Sequence, residues 1–168
     1  MKDGELSTVG DRYELRFTRS LPHPVPRVWD AITTPSGLRT WFPFDVIGDR
    51  STGASLRFSF REGEGEDFFG SMVAFEPPSV MELSWEDDET LRLELAPSDT
   101  GCVLTLINTF REIGKAARDA AGWHACLDAL CASLDGSSVD PGEVWQTVHP
   151  SYVSRFGPEA ATIGPPSG

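Results

Sequence analysis

Few stretches of the sequence combine reactive side chains as densely as GWHACLDAL, residues 122–130, which holds His124, Cys126 and Asp128 within five positions. On a helix, His124 and Cys126 point about 200° apart, so they cannot converge on one ion or one substrate atom. His124 and Cys131 do share a face, but they lie roughly 10 Å apart along the axis, too far for one tetrahedral ion. No metal ligation is expected here. His124 and Asp128 are four apart and can meet, which orients an imidazole and supplies half of an acid–base pair. No serine or cysteine nucleophile shares their face. The simpler expectation is packing, with Trp123, Leu127, Leu130 and Leu134 on the buried stripe and His124 at its flank.

Other polar candidates sit on strands. Arg92, Ser71 and Ser84 fall on positions expected to face water, whereas Asn108 is in phase with Leu104 and Leu106 and points inward. No catalytic constellation results, so binding is expected rather than turnover; an acid–base enzyme using His124 is the alternative.

These residues must be positioned by a recognisable series of elements. RYELRFTRSL alternates Tyr13, Leu15 and Phe17 with polar residues, as a half-wet strand does. Prolines 22, 24 and 26 end it, and Val25, Val28, Trp29 and Ile32 have helical spacing. Thr34 before Pro35 predicts a capped second short helix running through Leu38, Trp41 and Phe42.

After Pro43 the period is two. Leu56, Phe58 and Phe60, then DFFGSMVAFE, VMELSW, LRLEL and CVLTLINTF read as an antiparallel meander. Its turns are assigned to REGEGED, to the double proline at 77 and 78, to EDDE and to residues 98–101. The apolar face needs a cover. GKAARDAAGWHACLDALCASLDG provides one long helix, stopped at Gly136. The fold class is therefore α+β: a curved antiparallel sheet wrapped around a long C-terminal helix, with two short helices after the first strand.

Domain organisation follows from composition. Residues 1–11 are polar and read as a flexible N-terminus, 12–136 as the domain, and 137–168 as a C-terminal extension. In that extension Trp145, Val148, Tyr152 and Phe156 form a stripe that either folds back or joins a dimer contact, and Pro150 is expected to divide it into two helical pieces. His149 and His23 are expected in unremarkable exposed settings. ATIGPPSG has the composition of a disordered end.

Charge and apolar content narrow the partners. A net charge of −12 repels phosphate backbones and argues against nucleic acid. There is no apolar run of membrane-spanning length and no leader-like h-region, and Cys102, Cys126 and Cys131 show no paired framework, so a soluble cytoplasmic protein is expected. Ten Phe and five Trp can line a cavity or fill a core. The candidate lining is Trp29, Trp41, Phe58, Phe60, Phe69, Met72, Trp85, Leu106, Asn108, Trp123, His124 and Leu127, with no cofactor or metal.

VWDAITTPSGLRTWFP at 28–43, IGDRSTGASLRFSF at 47–60, FFGSMVAFEPPSVMELSWE at 68–86 and GWHACLDALCASLDG at 122–136 carry a family resemblance. In that order and spacing they resemble the bacterial activator-of-heat-shock-protein-90-ATPase-like family of the START/Bet v 1-like (SRPBCC) superfamily. The resemblance implies a helix-grip domain with a hydrophobic cavity between sheet and helix. It also implies a small apolar ligand or a protein partner, with a polyketide cyclase/dehydratase-like enzyme or a chaperone-associated stress protein as alternatives. Eukaryotic chaperone activators carry a further amino-terminal domain, for which a first strand near Arg12 leaves no room, so cochaperone activity is not the expectation. A monomer or homodimer is expected.

Overall fold

The computed structural model describes residues 3–61 and 65–164. Eight antiparallel strands form one sheet in the order β1-β2-β8-β7-β6-β5-β4-β3. They are β1 Glu5–Val9, β2 Arg12–Leu21, β3 Phe44–Ile47, β4 Ser55–Phe60, β5 Phe68–Glu76, β6 Val80–Trp85, β7 Glu89–Ser98 and β8 Gly101–Phe110. The helices are α1 Val25–Thr33, α2 Pro35–Leu38, α3 Ala116–Leu134 and α4 Pro141–Phe156.

Each strand behaves as its alternation dictates. Leu91, Leu93 and Leu95 of β7 and Cys102, Leu104 and Leu106 of β8 are buried, while Arg92 on the opposite face pairs with Glu82 and Glu94. Thr34 caps α2 by accepting from the Gly37 amide at 3.1 Å. Helix α3 is apolar almost all round, because the sheet lies on one side and α4 packs on the other. Trp123 and His124, adjacent in sequence, are both buried but enter different environments.

Four expectations are corrected. The segment expected as a flexible N-terminus contains β1, an edge strand paired with β2 across a turn at Gly10, whose φ is +63°. ELSTV carries too little apolar alternation to announce a strand, and its pairing to β2 supplies the order. The acidic EDDE is not wholly a turn, because Glu89 opens β7 and its side chain is buried. Pro150 does not divide the extension: α4 runs through it without a break. The missing N–H costs helix stability, and this is offset by packing of Tyr152, Trp145, Val148 and Phe156 on the core. The end of the chain is docked as far as it is described, with Ala160 buried and the Ile163 amide donating to the Gly114 carbonyl at 3.0 Å. The last four residues, like the middle of REGEGED, lie outside the described residues.

Candidate binding cavity

The site is built at the end of the sheet where β3, β4 and β6 meet the first half of α3. Arg61 holds the entrance to β3 in place, donating to the Phe42 carbonyl at 2.7 Å and the Phe44 carbonyl at 3.3 Å while pairing with Asp45 at 3.0 Å. That clamp fixes Phe44 at the centre of an aromatic cluster. Its ring centroid lies 5.0 Å from those of Phe42 and Phe68, 5.7 Å from Phe60 and 5.8 Å from Trp85, with near-perpendicular planes. Edge-to-face geometry of this kind favours a defined wall over interchangeable packing.

Opposite this wall stand Gly122, Trp123 and Cys126 of α3 and Trp145 of α4, and between them is a cavity of about 750 Å³. Gly122 matters by having no side chain, since a Cβ placed there would meet nothing within 4 Å. Trp145 is held across the opening by donating its indole N–H to the Arg118 carbonyl at 3.1 Å. Burial pushes the Cys126 thiol up to about 12, with Arg61 pulling partly the other way. It is therefore a neutral wall group, not a nucleophile.

One end of the cavity is polar. The Trp123 indole N–H donates to Asn108 Oδ1 at 3.2 Å, and Asn108 Nδ2 donates to Glu89 Oε2 at 3.0 Å and to the Thr90 carbonyl at 3.0 Å. Lys115 Nζ donates to the other Glu89 oxygen and lies 3.6 Å from Asp119, which in turn accepts from Arg118 Nε at 2.9 Å. Asn108 is fully buried and Glu89 is 8% exposed, so this network sits within the core rather than in bulk solvent. Beyond the Glu89–Lys115 pair opens a second, polar cavity of about 460 Å³, lined by Asp88, Arg111 and Glu112 as well as the pair itself.

The residues expected from sequence divide into three groups. Phe60, Trp85 and Trp123 line the cavity, and Asn108 anchors its polar end. Trp29, Trp41, Phe58, Met72, Leu106 and Leu127 are buried core residues outside its wall. Trp29, for example, meets Phe75, and Trp41 donates to the Ala31 carbonyl. Phe69 is corrected: it is 64% exposed on the outer face, and Phe68 turns inward instead. Phe68, Gly70 and Met72 share one phase, so Phe69 and Met72 could not both face the cavity on a regular strand.

His124 is also corrected, because it does not reach the cavity. Its Nδ1 shares a hydrogen bond of 2.8 Å with Tyr152 Oη, which also accepts from the Gly4 amide at 2.8 Å, and its Nε2 lies 3.7 Å from Asp128. It ties α3 to α4 and to the N-terminal segment, a structural role, and the cyclase-like mechanism built on His124 in the cavity loses its residue. His23, in contact with Asp135 at 2.8 Å, and His149, stacked on Trp145 at 4.2 Å, are likewise engaged outside the polar end of the site. Ser71 and Ser84 bond to each other at 3.0 Å across neighbouring strands.

Phe44, Phe68, Glu89, Lys115 and Gly122 were not singled out from sequence, and Cys126 and Trp145 were weighed there but not as cavity wall. Phe68 could have been found from the Met72 phase, and Gly122 and Cys126 from their spacing of four on α3. Glu89 was concealed in an acidic run. Among the described residues no group of three or more His, Cys, Asp or Glu is arranged to hold a metal ion, and no helix is long and apolar enough to cross a membrane.

Comparison with known proteins gives the same architecture. A structure of CalU16 from Micromonospora echinospora is 21% identical over 91% of this chain and 98% of its own, with a TM-score of 0.72. A conserved protein of unknown function from Enterococcus faecalis is 13% identical over 92% of both chains, with a TM-score of 0.73. An AHSA1-like protein from Aeromonas hydrophila is 15% identical over 73% of this chain and 92% of its own, with a TM-score of 0.58. At these identities the likeness shows the fold alone. No curated protein matches the sequence. The family profile described as "Activator of Hsp90 ATPase homolog 1-like protein" matches residues 22–135. Profile, sheet order and covering helix agree, and the chain belongs to the activator of Hsp90 ATPase homolog 1-like family, of SRPBCC type.

Proposed function

We propose that the protein binds a small, mainly apolar molecule in the cavity between the β3–β4–β6 end of the sheet and α3. The observation that carries this reading is the cavity of about 750 Å³ walled by Phe44, Phe60, Trp85, Trp123 and Trp145. Its volume and its few convergent polar groups match those of small-molecule sites. Family membership supports a ligand-binding or interaction role in general. Turnover is not part of the reading, because Cys126 is held neutral and the polar groups at the cavity end are already engaged with one another. Native mass spectrometry of the protein from its own host, followed by extraction, tests the proposal. One apolar molecule per chain is expected. A clean mass that persists after incubation with a broad set of apolar compounds would refute it.

A second reading is favoured by one observation on the opposite face. Phe69 and Val73 are exposed there, and Ile47, also exposed, lies in register with Phe69 across Arg57. An exposed apolar patch at a sheet edge suits a protein partner. On that reading, Phe69→Ser would abolish partner capture and leave small-molecule binding unaltered.

A further inference from the structure

Glu89 and Lys115 lie in the wall shared by the apolar cavity and the polar one behind it. The two members of this pair are held differently. Glu89 is 8% exposed and fixed from the core side by Asn108, whose own position is set by Trp123 and the Thr90 carbonyl. Lys115 precedes α3 on a flexible side chain and has a second carboxylate, Asp119, at 3.6 Å. The carboxylate is thus the fixed partner, and the ammonium is the one with somewhere else to go.

Resting on the cavity reading above, we propose that the ligand carries a cationic group of the ammonium type, which replaces Lys115 on Glu89 while Lys115 moves fully onto Asp119. Four further features select a cation over an anion. Phe44, Phe60, Trp85, Trp123 and Trp145 line the cavity, and aromatic rings attract positive charge over their faces. The bases around both cavities already have carboxylate partners: Arg111 has Asp11 at 2.9 Å, Arg118 has Asp119, and Lys115 has Glu89 and Asp119. The Glu112 carboxylate in the polar cavity meets no cation among the described residues, accepting only the Gly114 amide at 3.0 Å. The net charge of −12 also concentrates cations around the molecule.

The test compares three probes of equal apolar length, decylammonium, decanol and decanoate, titrated into the folded protein at neutral pH and low salt with tryptophan fluorescence as the signal. Binding should follow the order decylammonium, decanol, decanoate, with about tenfold between the first and the last, the size of a charge-assisted hydrogen bond. Glu89→Gln keeps an acceptor for Asn108 and should collapse the ratio of decylammonium to decanol affinity. Lys115→Met removes the competing ammonium and should raise that ratio, a gain that misfolding cannot imitate. Decanoate binding as tightly as decylammonium, or a fall in the ratio with Lys115→Met, would overturn the inference while leaving the cavity reading intact. Failure of all three probes to bind would overturn both.

Discussion

Asn108 is the residue on which the site turns. It stands on β8 in the same phase as Leu104 and Leu106, and it is fully buried. All three of its side-chain contacts go to groups at the cavity: the Trp123 indole, the Glu89 carboxylate and the Thr90 carbonyl. An apolar replacement would leave a buried carboxylate and a buried indole N–H without this partner. Asn108→Leu should therefore cost about 2–4 kcal/mol despite adding an apolar side chain to an apolar core, measured by urea unfolding. A neutral or stabilising result would mean that the network is loosely held. Asn108 was legible in the sequence because strand phase is strict. Its partner Glu89 was not, because four consecutive acidic residues carry the signal of a turn, and only the β6–β7 register shows that the fourth belongs to the strand.

Elements fix how closely the wall residues approach. Gly70 lies on β5 between the inward-facing Phe68 and Met72, and a Cβ there would come within 1.8 Å of the Ser84 carbonyl and 3.0 Å of the Phe58 ring. No rotamer relieves a clash with backbone, so β5 and β6 would have to separate. Gly70→Ala should destabilise by about 3 kcal/mol, at the upper end of single-site effects, and should lower the thermal midpoint measured by calorimetry. An unchanged midpoint would show that β5 can shift freely at this site. The same strand shows where a period of two stops being readable. The register of β5 against β6 shifts between Met72 and Ala74, leaving Val73 exposed and bringing Phe75 onto Trp29. A bulge of this kind breaks the period of two that made the rest of the meander readable. Helix α4 was concealed in a similar way, since Pro150 argues for a break and only packing against α3 argues against one.

At the scale of the whole molecule, sheet and helices were legible because alternation and helical spacing persist over long stretches, whereas the cavity was not. An inventory of aromatic residues cannot distinguish a filled core from a lined space. Phe58 and Trp29 ended in the first, Phe60 and Trp85 in the second. The packing around Cys126 and Tyr152 has a consequence for pH. Burial raises the Cys126 thiol from 9.0 to about 12 and also raises the Tyr152 phenol. A group whose folded value lies above its unfolded value contributes stability below the unfolded value and loses it as pH climbs through the folded one. The protein should accordingly lose stability as pH climbs from 9 toward 12, and Cys126→Ala should flatten the lower part of that decline. Equal alkaline profiles for the parent and the variant would place the thiol in water.

The space beside Gly122 is the binding site proposed above, and it is open to direct titration. Titration with Nile red, followed by its emission and by tryptophan quenching, should saturate at one molecule per chain. A Cβ at Gly122 meets nothing within 4 Å, so Gly122→Trp should fold and melt as the parent does while losing at least about tenfold in affinity, the scale of a filled apolar site. Unaltered binding in a well-folded Gly122→Trp protein would contradict the assignment of this cavity as the site.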